Sequence, residues 1–223
     1  MTLCGLLASN SDHNGTKGAR LARKVLVLGD GACGKTSMLF VLIKHEFPQA
    51  YEPTVFENYV HIMQPSAPNG PSVELTLWDT AGQEEFDKLR SLSYADTHVV
   101  VLCFSVDNPV SLENVETRWM PEIRDHCPGV KIVLVALKCD LRDTKTPRLT
   151  YNDGVEVAKR IRASRYLECS AKMNRGVNEA FVEIANVAMG SRAKALMDKV
   201  SGALWDPEWS LATAENPSSS MRP

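Results

Sequence analysis

The most chemically pointed string in the chain is Gly29-Asp30-Gly31-Ala32-Cys33-Gly34-Lys35-Thr36, with Ser37 directly after it. Glycines at this spacing let the backbone wrap closely around an anion while successive N–H groups and a following helix N-terminus point at it. Lys35 adds a point charge, and the Thr36 hydroxyl can ligate Mg²⁺. The pattern G-x-x-x-x-G-K-[ST] means this only between a strand and a helix. Lys24–Leu28 reads as that strand, and Lys35–Lys44, with Met38, Leu39, Leu42 and Ile43 on one side, reads as that helix. Residues 29 to 37 are thus expected to hold phosphate groups, which leaves ATPases, kinases and GTPases all open.

Three further strings narrow the choice. In Trp78-Asp79-Thr80-Ala81-Gly82-Gln83-Glu84, Asp79 closes an apolar run, where it can hold a metal through water. Gly82 can offer its N–H to a γ-phosphate, and Gln83 can orient an attacking water. In Lys138-Cys139-Asp140 the carboxylate of Asp140 can accept from the N1–H and N2 amino group of guanine, a donor pair that adenine lacks on that edge. In Ser170-Ala171-Lys172 a backbone N–H can reach the guanine O6. Each string alone has an ordinary reading in packing or capping; Asp140, for instance, could be a turn residue. Together, and in this order, they point to guanosine triphosphate, with Asp79 beside Thr36 at the metal.

Stepping along the chain, six short runs rich in Val, Ile, Leu and aromatics predict strands: Lys24–Leu28, Tyr59–Met63, Val73–Trp78, Val99–Phe104, Ile132–Leu137 and Tyr166–Cys169. Helical spacing lies between most of them: Lys35–Lys44, Ser111–Asp125 (Leu112, Val115, Trp119 and Ile123 on one face), Asn152–Ile161, and finally Val177–Met189. Such alternation predicts an α/β fold with a mostly parallel sheet and helices on both faces. The exception is the pair Tyr59–Met63 and Val73–Trp78, joined by QPSAPNGPS, which is expected to be an antiparallel hairpin at the sheet edge. Val99–Phe104 and Ile132–Leu137 are nearly continuous apolar runs, expected at the sheet's centre. Residues 1–22 and 191–223 fall outside this plan and are expected to be mobile, leaving residues 23–190 as the folded domain.

Composition excludes other roles. Lys+Arg at 25 against Asp+Glu at 27, a net charge of −2, provides no basic field for a nucleic acid. The longest apolar runs fall far short of the roughly 18 residues a spanning helix needs. The first ten residues, MTLCGLLASN, carry no secretion signal and no myristoylation motif. A cytoplasmic chain is expected, whose six scattered cysteines stay reduced and form neither disulfide nor zinc site.

The strings GDGACGKT, YEPTVFENY, WDTAGQEEFDKLRSLSY, LKCDLR and ECSAK resemble the Ras superfamily of small GTPases, and the second and third resemble its Rho family. Within that family, SLSYADTHVV, DHCPGVKIVLVALKCDLR and RYLECSAKMNRGVNEAF look most like the fungal Rho-three class. The resemblance implies the fold of a P-loop NTPase: a six-stranded, mostly parallel sheet with one antiparallel edge hairpin. It implies a switch that cycles between GDP and GTP with Mg²⁺, acting in polarised growth, actin organisation and exocytosis. Residues 47–58 would be the first switch, with Thr54 joining Thr36 and Asp79 at Mg²⁺, and with Phe47 and Tyr51 near the nucleotide. Residues 81–94 would be the second. Both would order around the γ-phosphate and relax after hydrolysis, and both would receive exchange factor, GTPase-activating protein and effectors. Trp78 resembles a position at the exchange-factor surface, although it also reads as core. No internal arginine finger is evident, so hydrolysis would be slow without an activating protein. The rival is an adaptor that holds GTP without hydrolysing it, and Gln83 and Gly31 both match hydrolysing relatives.

The chain departs from the pattern in three places. Leu137 stands where most relatives carry Asn or Thr, removing a polar brace and lowering the expected nucleotide affinity. The stretch from Leu141 to Cys169 is too short for the helical insert typical of Rho proteins, which puts partners of that insert in doubt. The sequence given ends Ser220-Met221-Arg222-Pro223 with neither a C-a-a-X box nor a basic run, so prenylation is not expected for it. Cys4, among Leu3, Leu6 and Leu7, is the candidate S-acylation site for peripheral membrane contact. Trp205 and Trp209 could touch a partner. A monomer is expected.

Overall fold

The computed structural model describes residues 21–50, 53–64, 72–143 and 148–190. In chain order these form β1 (Leu21–Gly29), α1 (Lys35–Lys44), β2 (Phe56–Met63), β3 (Val73–Thr80), a 3₁₀ turn at Glu84–Phe86, α2 (Asp87–Ser91) and β4 (Val99–Ser105). Next come α3 (Pro109–Asn114), a π turn at Val115–Trp119, α4 (Met120–His126) and β5 (Lys131–Leu137). A 3₁₀ turn at Cys139–Asp143, α5 (Tyr151–Arg160), β6 (Arg165–Glu168) and α6 (Val177–Ala188) complete the domain.

The sheet order is β2-β3-β1-β4-β5-β6. Every pairing is parallel except β2 with β3, so the expected edge hairpin is present. Alternate residues of the buried strands face opposite ways. Val25, Val27, Val101, Val133 and Val135 pack with Met38 and Leu42 of α1 and Phe181 and Ile184 of α6. Leu26, Leu28, Leu102, Phe104 and Leu134 pack on the other face with Val115, Trp119, Ile123, Val157 and Ile161. Helices on both faces explain why these strands read as continuous apolar runs.

Two expectations need correction. The middle of the sheet is β1 and β4, while β5 lies one strand in from the β6 edge. A continuous apolar run reports burial on both faces, which β5 has, and not distance from an edge. The predicted helix over Ser111–Asp125 is interrupted by the π turn, where the N–H of Met120 donates to the carbonyl of Val115. The sequence pattern also left the 3₁₀ turn and α2 unassigned, because they expose most of their side chains and show no periodic apolar stripe.

The register brings the carboxyl ends of β1, β3, β4 and β5 to one edge: Val27 lies beside Asp79, Gly29 beside Cys103, and Ser105 beside Leu137. Open α/β sheets place ligands at this edge, where loops leave the strands in different directions.

Candidate nucleotide site

The phosphate loop bends where β1 ends. Gly29 has φ +138°, and a Cβ there would lie 2.2 Å from the carbonyl oxygen of Cys103 in the neighbouring strand, so only glycine lets the chain turn. Gly34, at φ +110°, opens α1, and no side chain caps that helix end. Lys35 is buried; its ammonium donates to the carbonyls of Gly29 at 2.7 Å and Asp30 at 2.8 Å, drawing the loop closed around it.

Oxygen donors converge beside this loop from three distant segments. The Thr36 Oγ1 donates to Asp79 Oδ2 at 2.6 Å and lies 2.6 Å from Thr54 Oγ1. Asp79 is fully buried at the end of β3, and its Oδ1 has no hydrogen-bond partner among the described residues. Burial pushes its carboxyl up to about 6, against the opposing pull of the Thr36 hydroxyl and Lys35. Two hydroxyls and a carboxylate with an orphaned oxygen are the hard donors that Mg²⁺ takes, so the residues fit the ion that Thr36 and the resemblance implied.

The loop after β3 presses on the phosphate loop. A Cβ at Gly82 would meet Gly31 N at 2.3 Å, the Asp30 carbonyl carbon at 2.4 Å and Gly29 O at 2.5 Å. Gln83 follows, and its Cγ and Cδ lie 3.6 Å from where a Cβ on Gly31 would sit. The candidate water-orienting amide therefore stands over the middle of the loop.

On the far side of Gly34 is a cavity of about 120 Å³ lined by Gly34, Ser37, Phe47, Leu137, Lys138, Asp140, Leu141, Ala171 and Lys172. Three sequence strings, the first and last more than 130 positions apart, thus share one pocket. Lys138 turns the chain out of β5 at φ +58°, and the N–H of Cys139 donates to the Cys169 carbonyl at 3.2 Å, binding the two loops together. Ser170 is fully buried; its hydroxyl donates to Asp140 Oδ1 at 2.5 Å and accepts from Met173 N–H at 3.1 Å, which holds the carboxylate toward the cavity wall. Leu137 packs near Gly34 in the place where a polar brace was expected to be missing.

Some side chains of the site have distant partners. Asp30 remains in the loop, but its carboxylate is taken by α3 and the π turn: Asn114 Nδ2 and Trp119 Nε1 each donate to it at 2.7 Å. Sequence reasoning placed Trp119 in the core from its helical spacing, and burial bears that out, yet the indole N–H serves the phosphate loop. Arg90 also went unnoticed, as one charge in a charged segment; it is 2% exposed and bonds the carbonyls of Ala81 and Gln83. Tyr51, Cys4, Trp205 and Trp209 lie outside the described residues.

Comparison with known proteins agrees with this geometry. Residues 24–189 match the Ras family. The chain is 56% identical over 190 residues to the GTP-binding protein rho3 of Schizosaccharomyces pombe, covering 82% of this chain and 91% of that protein. It is 58% identical over 192 residues to the GTP-binding protein Rho3 of Schizophyllum commune, covering 82% and 89%. Against the Rho-related GTP-binding protein RhoB of Homo sapiens it is 50% identical over 184 residues, covering 78% and 92%.

Proposed function

The chain belongs to the Ras family, in its Rho branch and of the Rho3 class, and from that membership we propose how its residues run the GTPase switch. It is a small GTPase that binds GTP and GDP and hydrolyses the first to the second. The observation that carries the residue assignment is the meeting of Thr36, Thr54 and Asp79 at 2.6 Å beside a glycine loop that closes on Lys35.

In this reading Lys35 and the N–H groups of residues 29–37 hold the phosphates, and Asp140, braced by Ser170, accepts from the guanine edge, with Phe47, Lys138, Ala171 and Lys172 around the ring. Thr36, Thr54 and Asp79 would hold Mg²⁺. When bound, that ion supplies positive charge against the phosphate oxygens as their charge redistributes. Gly82 approaches the γ-phosphate through its N–H, and Gln83 orients the attacking water. Thr54 lies between exposed Pro53 and Val55, and Gly82 leads into the exposed residues Glu84, Glu85, Asp87, Lys88 and Leu89, so both segments order while a third phosphate is present and relax when it leaves.

Arg90 lies beside Gln83, and its guanidinium is already engaged by Ala81, Gln83, Asp87 and Glu122. It is not available to stabilise transferring phosphoryl charge. Slow intrinsic hydrolysis follows, with an activating protein supplying an arginine in trans. The switch segments present Val55, Leu89 and Leu92 to solvent, and β2 adds Val60 and Ile62 just beyond the first of them, an apolar surface suited to exchange factors, activators and effectors at residues 47–58 and 81–94. Signalling to polarised growth, actin organisation and exocytosis accords with the Rho3 relationship. Among the described residues no helix is long and apolar enough to cross a membrane; peripheral contact through Cys4 is part of the proposal.

The test is single-turnover hydrolysis of preloaded GTP with and without a Rho-type activating protein, in the wild type and in Gln83→Leu. The wild type turns over and is accelerated by the activator, and the variant holds GTP in both conditions. Activator-stimulated turnover of Gln83→Leu at the wild-type rate would remove Gln83 from the mechanism.

A further inference from the structure

Arg90 is the buried charge of the second switch. Around it Glu84, Glu85, Asp87, Lys88 and Leu89 are exposed, whereas Arg90 is 2% exposed although it carries a charge. Its Nη1 donates to the carbonyls of Ala81 at 3.1 Å and Gln83 at 3.4 Å. Its Nε and Nη2 grip Glu122 of α4 at 2.8 and 2.9 Å, and Nη2 also reaches Asp87 at 2.6 Å. Glu122 in turn accepts from the Tyr94 hydroxyl at 2.8 Å.

The guanidinium also lies over the indole of Trp119, 4.8 Å from its centroid, and Arg118 lies over the same ring at 4.6 Å while pairing with Glu84 at 2.6 Å. The indole N–H is bonded to Asp30 of the phosphate loop. An unbroken line of contacts thus joins the loop under the phosphates to the peptide that carries Gln83: Asp30, Trp119, Arg90, then the carbonyls of Ala81 and Gln83.

The π turn makes this line possible. In a regular α-helix residues five apart point about 140° from each other, so Asn114 and Trp119 could not both reach one carboxylate. The wider turn brings them onto the same face, and both oxygens of Asp30 are satisfied. Trp119 then delivers its ring to Arg90 with its orientation fixed at the nitrogen.

We propose that Asp30, Trp119 and Arg90 are positioning residues for Gln83, transmitting the seating of the phosphate loop to the water-orienting amide through the indole–guanidinium contact. None of the three orients the water itself. This inference rests on the role assigned to Gln83 above. A guanidinium that is buried, multiply bonded and stacked has one orientation, so any shift of the indole is passed to the carbonyls it holds. Trp119→Phe keeps the aromatic packing and removes the bond to Asp30.

Four proteins test it: wild type, Trp119→Phe, Gln83→Ala, and the double variant, each preloaded with GTP and followed for phosphate release, with fluorescent GDP release and melting temperature measured alongside. Trp119→Phe slows hydrolysis about tenfold, a displacement smaller than the 1 Å that can cost a hundredfold, while GDP release stays within about twofold. Adding Trp119→Phe to Gln83→Ala changes hydrolysis less than about twofold, because the line ends at Gln83. Equal slowing in both backgrounds, no slowing at all, or faster GDP release matching the slowed hydrolysis would each overturn the inference and leave Gln83 in place. Wild-type hydrolysis by Gln83→Ala would overturn the Gln83 assignment and this inference with it. Arg90→Lys, which keeps the charge but cannot hold both carbonyls and Glu122 together, shows the same dependence on Gln83 and decides the matter if Trp119→Phe melts early.

Discussion

Gly82→Ala isolates the contact between the two loops that meet at the phosphates. A methyl group there would lie 2.3 to 2.5 Å from Gly31 N, the Asp30 carbonyl carbon and Gly29 O, all of them backbone atoms. No side chain can turn aside, so the 81–83 segment must retreat by about 1 Å to reach ordinary contact. A displacement of that size at a reacting group costs about a hundredfold in rate, or about 2.7 kcal/mol of barrier. The retreat carries Gln83 and the Gly82 N–H away from the γ-phosphate, while Lys35, Thr36 and the base pocket are untouched. Phosphate release from preloaded GTP should therefore slow about a hundredfold, and fluorescent GDP should leave at close to the wild-type rate. Gly31 provides the contrast. A Cβ at Gly31 meets Gln83 at 3.6 to 3.8 Å, ordinary contact, so Gly31→Ala should slow hydrolysis only a few-fold. In Gly31→Val the added methyls reach about 1.5 Å farther, into the Gln83 amide, and the loss should reach about tenfold or more. Wild-type hydrolysis in Gly82→Ala with unchanged GDP release would refute the placement of this loop against the phosphates.

Asp140→Asn keeps the bond from Ser170 but replaces a double acceptor with one acceptor and one donor. At about 1.5–3 kcal/mol for each charge-assisted bond, GTP affinity should fall about a thousandfold while that for xanthosine triphosphate rises; an unchanged preference for GTP in competition binding would exclude Asp140 from base reading. Thr36→Asn removes the hydroxyl that meets Thr54 and Asp79, so titration should show Mg²⁺-dependent GTP affinity falling far more than GDP affinity, and equal losses would contradict the metal assignment. Arg142 holds both oxygens of Glu168 and the Leu149 carbonyl, and the Tyr166 hydroxyl donates to the same carboxylate. Arg142→Met strands a largely covered charge, and should cost about 2 kcal/mol and lower the melting temperature about 4–8 °C; Glu168→Gln should recover part of it, and a melting point unchanged by Arg142→Met would show the pair to be idle.

The phosphate loop was legible in the sequence because its chemistry is contiguous. Gly29 and Gly34 stand at positive φ within six residues of each other, between a strand and a helix whose apolar spacing was also local, so the eight-residue string contains most of its own geometry. The order of strands and helices was legible for the same reason: each element's burial pattern is written along its own length. Asp79, Gln83 and Asp140 could be singled out as residue types at strand ends, and Thr54 through family resemblance. That Thr36 stands 2.6 Å from both Thr54 and Asp79 is decided by how the first switch, α1 and β3 come together. Which strands lie in the middle was likewise undetermined, since β4 and β5 carry the same continuous apolar signal. Asp30 and Arg90 show the limit most plainly. Sequence placed one in the phosphate loop without a partner for its carboxylate and gave no role to the other, a charge in an exposed segment, because type and neighbours indicate only that a polar group needs a partner. Asp30 finds Asn114 and Trp119 more than eighty positions away, and Arg90 finds Glu122 across the space between two elements. A buried charge is tolerated only where the whole fold supplies its partners, and that supply exists only once the chain has folded.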